Sequence, residues 1–332
     1  MTMQRESYFF HSFPRGRAGD SRERILQKGR MIAKSLLDNG LLLSPETYQF
    51  PSYSAHGPEP EMMTAVQRRV CFTELRPAEL ENHAATFGPF SLMYEVDVLR
   101  HFGVMPVFYM PPPLDNGGLS MLATQLISGL LDSMRIVDNL GKIRSHLANN
   151  SRLGMKYRGR QIDFDEAAAA TIKLFVEVLF ESALCDPGIT EKRLSALSSC
   201  FYPTENLRYN DALSYYRQRE WRIVHADLEC QGQPIFTRAT PGQVSQLISI
   251  DERFFEKELP FFQPDNGIGA KELAKVGERC YFFRALGDKD VLGSAKGLIV
   301  PDDVAVDSEE FAQWESRGVR VIQARDCGAG WV

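Results

Sequence analysis

Short apolar runs with β character alternate with helical stretches between residues 69 and 113. Val70–Phe72 is almost continuously apolar, as expected for a strand that is covered on both faces. Phe90–Val96 and Pro106–Met110 have a similar character, and two short helical stretches separate the three runs. Pro111–Pro113 ends the third run, because proline cannot donate a ladder hydrogen bond. The pattern predicts the sheet core of a mixed α/β domain.

Two further elements and a long polar stretch precede this core. Ser7–Phe13 is predicted as a strand, and residues 20–39 as an amphipathic helix that stops at Asn39-Gly40. Residues 44–67 are rich in Pro, Ser and Tyr and are predicted to form a long surface loop. A loop of this length inside a domain more often has a function than serves only as a connection.

Helical patterns dominate the middle of the chain. Apolar residues recur at spacings of three and four from Leu122 to Leu140, which predicts an amphipathic helix. Ala167–Leu184 is apolar nearly all round and predicts a helix that is buried on most faces.

Sheet patterns return at Glu220–Val224, and further strands are predicted at Gly297–Val300 and Val319–Gln323. The fold class predicted from the whole pattern is α+β, with a mixed, split β-sheet and flanking helices. We expect residues 1–332 to form a single domain with a helical insertion at about residues 117–200.

Composition and charge limit the binding partners and the cellular compartment that we expect for the protein. The formal net charge of -5 argues against a globally basic nucleic-acid binder but leaves room for a local basic patch. The six cysteines lack Cys-x-x-Cys spacing, which fits neither a zinc site nor a disulfide framework. No apolar run approaches the roughly 20 residues of a membrane helix, and the first residues lack the apolar core of a secretory signal. We expect a cytoplasmic protein without a metal and without membrane association.

Polar residues at the ends of predicted strands suggest one chemistry. His11, Thr73 and Glu220 lie on three different strands, the arrangement of an ADP-ribosyltransferase. A histidine can hydrogen-bond a ribose hydroxyl of NAD, and an aromatic ring such as Phe72 can stack on nicotinamide. A carboxylate can hold the ribose 2′-hydroxyl and stabilise the positive charge that develops at C1′. We predict Glu220, His11 and Thr73 as catalytic residues, and His11, Phe72, Thr73 and Arg15 as NAD-binding residues.

Each of these residues also has a structural interpretation. His11 lies beside several phenylalanines, where a half-buried, hydrogen-bonded histidine is common. Glu220 lies between Arg219 and Arg222 and can belong to a surface ion pair. Arg15 belongs to a basic cluster that faces phosphate or nucleic acid, or that forms a solvated helix face.

Other chemistries lack their sequence signatures. The chain has no Gly-x-Gly-x-x-Gly after a strand, no phosphate-binding Gly-Lys-Ser/Thr loop and no Gly-x-Ser-x-Gly elbow. It also lacks His-Glu-x-x-His and similar metal-ligand spacings.

Several short β motifs resemble those of the AbiGi-type abortive phage-infection proteins. The motifs are Val-Cys-Phe-Thr-Glu-Leu at 70–75, His83, Phe-Gly-Pro-Phe at 87–90, Pro-Val-Phe-Tyr at 106–109, Tyr-Arg-Gln-Arg-Glu-Trp-Arg-Ile at 216–223 and Leu-Ile-Val-Pro at 298–301. The resemblance implies a role in bacterial defence as an antitoxin-like component. It also implies that the product of a neighbouring gene is the partner.

Two classes of function therefore remain open. In the first, the protein is an effector that cleaves NAD and modifies a nucleic acid or a protein. In the second, it is a non-catalytic antitoxin or sensor that binds a partner protein or a phage component.

Overall fold

A computed structural model describes the chain at residues 7–17, 19–52, 61–110, 121–149, 152–157, 160–181, 187–198, 200–203, 219–226, 229–251, 277 and 279–327. The chain divides into two units. The first unit contains residues 1–49, 64–109 and 202–332, and the second contains residues 50–63 and 110–201. The sequence predicted one domain, and its predicted insertion at 117–200 falls within the range of the second unit.

The elements alternate along the chain as follows. The helices are α1 (Arg22–Asn39), α2 (Leu80–Phe87), α3 (Val96–His101), α4 (Met121–Asn149), α5 (Glu166–Leu179), α6 (Pro187–Ser198), α7 (Pro241–Ile250) and α8 (Ala312–Ser316). The strands are β1 (Tyr8–Phe13), β2 (Leu41–Ser52), β3 (Glu61–Leu75), β4 (Phe90–Glu95), β5 (Met105–Pro106), β6 (Phe108–Met110), β7 (Leu153–Tyr157), β8 (Arg160–Phe164), β9 (Phe201–Pro203), β10 (Glu220–Val224), β11 (Glu229–Cys230), β12 (Gln233–Pro234), β13 (Phe236–Arg238), β14 (Tyr281–Phe283), β15 (Ala285–Leu286), β16 (Lys289–Asp290), β17 (Gly297–Val300) and β18 (Arg320–Gln323).

A ten-stranded sheet organises the first unit. Its main order is β13-β14-β2-β3-β1-β4-β17-β18, and β10 pairs with both β3 and β5. β1 is antiparallel to β3 and to β4, whereas β17 and β18 are parallel. The α+β class with a mixed sheet is confirmed.

Apolar residues cover both faces of this sheet. Phe9, Phe72 and Tyr94 belong to the larger cluster, which also contains residues of α1. Phe10 and Met93 belong to a smaller cluster on the opposite face, since they alternate with Phe9 and Tyr94 along the same strands.

Helix α1 packs closely against the larger cluster. It begins after Ser21, whose side chain accepts a hydrogen bond from the backbone N–H of Arg24, and it ends at Asn39, where Gly40 follows with a φ of 89°. Gly29 permits the close approach, because a Cβ atom there would lie 2.2 Å from the ring of Phe90. A glycine in mid-helix is therefore a packing requirement at this position.

The predicted surface loop at residues 44–67 is wrong over most of its length. β2 continues to Ser52 and β3 begins at Glu61, while residues 53–60 lie outside the described residues. The polar composition of this stretch misled the prediction. Gln67 is 1% exposed, so its polarity serves a buried network of side chains and not a solvated loop.

The second unit contains α4, α5 and α6 and the β7–β8 hairpin. Leu147, Leu153 and Ala169 form its small apolar cluster, with Phe164 and Ile172 packed against them. The prediction that the helix at 167–184 is buried on most faces is wrong for its described part. Leu174, Phe175 and Val178 of α5 are 66%, 63% and 50% exposed, while Ala169, Val176 and Phe180 are buried.

Among the described helices, none is both long enough and apolar enough to cross a membrane.

Candidate functional site

The pairing of β3 with β10 brings two of the predicted site residues together. Glu220 lies directly opposite Thr73, and Arg222 lies directly opposite Cys71. Residues that face each other across antiparallel strands project from the same side of the sheet. Glu220, Thr73, Arg222 and Cys71 therefore share one face.

Both carboxylate oxygens of Glu220 accept hydrogen bonds. The Tyr109 hydroxyl donates to Oε2 at 2.5 Å, and Nε of Arg222 donates to Oε1 at 2.8 Å. The backbone N–H of Val107 donates to the carbonyl of Glu220 at 3.0 Å, which holds the segment that carries Tyr109 beside β10. The carboxylate is thus fixed by the sheet and by two side chains.

The hydrogen bonds continue from Arg222 along the same face. Nη1 of Arg222 donates to Oε1 of Gln67 at 3.2 Å, and Arg69 donates to the same oxygen. Arg69 also forms an ion pair with Glu46 of β2. We call Glu46, Arg69, Gln67, Arg222, Glu220 and Tyr109 the β3–β10 polar network. It contains two cations and two anions, so its formal charges balance.

Burial makes these charges interact strongly. The side chain of Arg222 is 1% exposed and that of Glu220 is 14% exposed. Burial by itself raises the pKa of Glu220, but the charges of Arg222 and Arg69 outweigh it, with hydrogen bonds from Cys71 and Tyr109, and lower that pKa to about 2. Glu220 is therefore a permanent anion at neutral pH.

The neighbours of Glu220 are held in their protonated forms. Burial and the negative charge of Glu220 raise the pKa of the Cys71 thiol to about 11. Burial is the larger cause of a raised pKa of Tyr109, and the negative charge of Glu220 raises that pKa further. A carboxylate with a pKa near 2 is a poor general acid or base at pH 7, since efficient proton transfer needs a pKa near the working pH. What the Glu220 carboxylate can do chemically is stabilise a neighbouring positive charge.

His11 does not join this site, contrary to the prediction. Phe10 lies opposite Thr73, so the next residue, His11, projects from the other face. Its ring lies 5.7 Å from that of Phe72 and 5.9 Å from that of Phe13, and its Nδ1 lies 2.8 Å from the Cys71 carbonyl oxygen. Burial lowers the pKa of His11. His11 and Glu220 cannot both contact one nicotinamide riboside from opposite sides of the sheet.

The predicted role of Phe72 also needs correction, whereas that of Arg15 stays a prediction. Phe72 lies opposite Trp221 in the core face and is 1% exposed, so no nicotinamide ring can stack on it. Arg15 lies over the ring of Phe87 at 4.8 Å. Burial and the charge of Arg15 lower the pKa of neighbouring His83 to about 4. Arg15 is therefore packed on helix α2.

Sequence reasoning missed most of the network, although a signal for it exists. Gln67, Arg69, Cys71 and Thr73 occupy every second position of β3, and Glu220 and Arg222 do the same in β10. Polar residues with period two on two paired strands indicate a polar strip along one face of a sheet. Tyr109 and Glu46 carry no such signal, because their contacts depend on the tertiary structure.

Within the described residues, no group of three or more His, Cys, Asp or Glu side chains is arranged to hold a metal ion. Comparison of the chain with family models, curated proteins and solved structures gives no match.

Proposed function

We propose that the protein is a non-catalytic component of a bacterial anti-phage system and that it acts by binding a partner protein, the product of a neighbouring gene. The resemblance of its short β motifs to those of the AbiGi-type proteins supports the defence role. The β3–β10 polar network supports a structural use of Glu220, since the groups expected to bind NAD are split between two faces.

The observation that carries this proposal is the exposed face of α5, formed by Leu174, Phe175 and Val178. Spacings of one, three and four residues place these side chains on one side of the helix, away from buried Ala169 and Val176. Contiguous exposed apolar side chains commonly mark an interaction site. A helix face of this kind is recognised by an apolar groove or by another amphipathic helix.

A growth experiment tests the proposal. The protein expressed alone is expected to be harmless, and it is expected to relieve the toxicity of the neighbouring gene product. Phe175→Glu places a charge in the α5 face and should abolish the relief. Ile136→Glu is the matched control, since Ile136 is 59% exposed but lies on α4 in the same unit. Growth arrest by the protein alone, or equal relief by both variants, would contradict the proposal.

A second candidate function is that of an NAD-dependent, ADP-ribosyltransferase-like effector acting on a nucleic acid or a protein. The observation in its favour is the juxtaposition of Glu220 and Thr73 on one face with the hydroxyl of Tyr109. If this function is correct, the purified protein consumes NAD, and Glu220→Gln slows the reaction roughly 10²-fold or more without unfolding. Absence of NAD consumption in the presence of the neighbouring protein and of nucleic acid would eliminate it.

A further inference from the structure

The exposed side of helix α5 carries small residues in its first half and large apolar residues in its second half. At about 100° per residue, these exposed side chains lie within an arc of roughly 140°, opposite to the buried Ala169 and Val176. We call them the α5 stripe, which consists of Ala167, Ala170, Thr171, Leu174, Phe175 and Val178.

The α5 stripe contains one side chain with a polar group, and that group is already satisfied. The Thr171 hydroxyl donates to the Ala167 carbonyl of the same helix at 3.0 Å. A protein that covers the α5 stripe therefore removes apolar surface from water without leaving a side-chain donor unpaired.

Contacts with α4 fix the side of α5 that faces outward. Arg144 of α4 forms an ion pair with Glu177 at 2.7 Å, and its guanidinium group lies 5.3 Å from the centre of the Phe180 ring. Ala169 of α5 packs with Leu147 of α4 in the apolar cluster of the second unit. The helix is thus anchored through its other side, and the α5 stripe is presented to solvent.

The order of residues in the α5 stripe makes it complementary to itself. Ala167, Thr171, Leu174 and Val178 follow one another at spacings of four, three and four residues, the repeat of helices that pack side by side. In an antiparallel pair of α5 helices with a two-fold axis at the middle of the stripe, Ala167 lies opposite Val178 and Thr171 lies opposite Leu174. Small residues then meet large ones, as close packing requires. In a parallel pair in register, each residue would meet its own copy.

We propose that the α5 stripes of two copies of this chain pair in this antiparallel arrangement while the partner protein is absent, and that the partner displaces the second copy. A two-fold interface needs a surface that is complementary to itself, and the α5 stripe has this property. The displacement rests on the proposed function, whereas the pairing does not.

The size of the α5 stripe makes this pairing reversible. Helix α5 has 14 residues, or about four turns. One pair of such helices buries less than the roughly 1,200–2,000 Å² of a standard protein interface, so we expect a weak dimer. A weak dimer covers the apolar side chains and still releases them to the partner.

Sedimentation equilibrium of the purified protein alone tests the pairing. We expect a monomer–dimer equilibrium with a dissociation constant on the order of micromolar. Leu174→Glu and Phe175→Glu should each weaken it at least tenfold, because each dimer would bury two unpaired charges. Ile136→Glu is the matched control, since Ile136 is an exposed apolar residue of α4, and it should dimerise like the wild type. Circular dichroism establishes that each variant is folded.

Disulfide formation tests the antiparallel arrangement. Ala167→Cys and Val178→Cys proteins, mixed and mildly oxidised, should form a disulfide between the two chains. Neither variant should form one with itself, because two copies of either position lie eleven residues apart along the pair, about 16 Å, and a disulfide spans at most about 7 Å between Cα atoms. The wild type under the same oxidation controls for the native cysteines.

The outcomes separate the pairing from the proposed function. A wild type that stays monomeric at several times the expected micromolar dissociation constant, or a dimer that both glutamate variants retain, would overturn the pairing even if the growth experiment shows relief of toxicity. Disulfides formed by each cysteine variant with itself, without any in the mixture, would overturn the antiparallel arrangement. A dimer that persists in a complex with the neighbouring gene product would overturn the displacement. A dimer without relief of toxicity would instead remove the proposed function and leave the pairing supported.

Discussion

Glu220→Gln removes one negative charge from the β3–β10 polar network and keeps the size of the side chain. The amide oxygen can still accept a hydrogen bond from Arg222 or Tyr109, but the charge of Arg222 loses its partner. Because the Arg222 side chain is only 1% exposed, water cannot replace that partner. A buried cation that loses its balancing anion is costly even when other hydrogen bonds remain, so we expect the variant to be less stable.

The magnitude follows from the burial of the pair. Removing one partner of a buried ion pair costs about 3–5 kcal/mol, and we expect about 3 kcal/mol here because the amide keeps an acceptor. For a chain of this size, that loss lowers the Tm by roughly 5–10 °C. Trp221, next to Glu220, and Trp314 report unfolding of the first unit by fluorescence.

Glu95→Gln is the matched control for this measurement. Glu95 pairs with Lys296 at 2.7 Å, but the two side chains are 51% and 38% exposed. An exposed ion pair contributes at most about 1 kcal/mol, so this variant should unfold almost like the wild type.

Acid titration gives an independent test of the same reasoning. The pKa of Glu220 is lowered to about 2 in the folded protein from 4.5, so its charge stabilises the fold above pH 4.5. That contribution is lost as the pH falls from 4.5 towards 2. The difference in unfolding free energy between the wild type and Glu220→Gln should therefore be constant near neutrality and shrink below pH 4.5. Equal stability of both proteins at pH 7, or a difference that does not change with acid, would refute a buried ion pair.

Three further outcomes are expected. Gly29→Ala should lower the free energy of unfolding by about 1–3 kcal/mol, because its Cβ would overlap the ring of Phe90. Gly242→Ala, in an open position of α7, is the control and should be neutral or stabilising. Denaturant titration compares the free energies of unfolding of the two variants. Cys71 should react slowly with iodoacetamide at pH 8 in the folded protein, because its pKa is raised to about 11; mass spectrometry should show full modification only after unfolding. Cys280, whose pKa burial raises to about 12, should behave in the same way, and rapid labelling of either thiol would contradict its raised pKa.

Local patterns predicted the elements of the first unit well. The strands expected at Ser7–Phe13, Glu220–Val224, Gly297–Val300 and Val319–Gln323 are present within one or two residues, as is the helix that ends at Asn39. These elements carry apolar runs or helical periodicity within their own sequences. No information from distant parts of the chain is needed to recognise them.

The candidate site was harder to predict because it depends on the pairing of distant strands. Alternation shows that His11 projects opposite to Phe10, but it does not show which of them shares a face with Glu220. That relation is set by the registers Phe10–Thr73 and Thr73–Glu220, which join strands far apart in sequence. A shift of one residue in either register would place His11 on the same face of the sheet as Glu220.

Burial of α5 was mispredicted for a different reason. Its sequence is apolar nearly all round, a pattern that indicates burial on most faces when every contact lies within the chain. The structure buries Ala169, Val176 and Phe180 and leaves Leu174 and Phe175 exposed. The apolar sequence of α5 therefore favours more burial than the chain itself provides. We expect such a helix where a partner protein supplies the remaining contacts.

The most direct test of the account is the affinity of the purified protein for the purified product of the neighbouring gene. Burying Leu174 and Phe175 should contribute roughly 1.5–3 kcal/mol each, so we expect their joint replacement by glutamate to weaken binding by well over tenfold in calorimetry. Glu220→Gln, measured at a temperature at which it is folded, should bind as tightly as the wild type. Equal binding by the wild type and the Leu174→Glu/Phe175→Glu variant, or no binding by the wild type, would contradict the account.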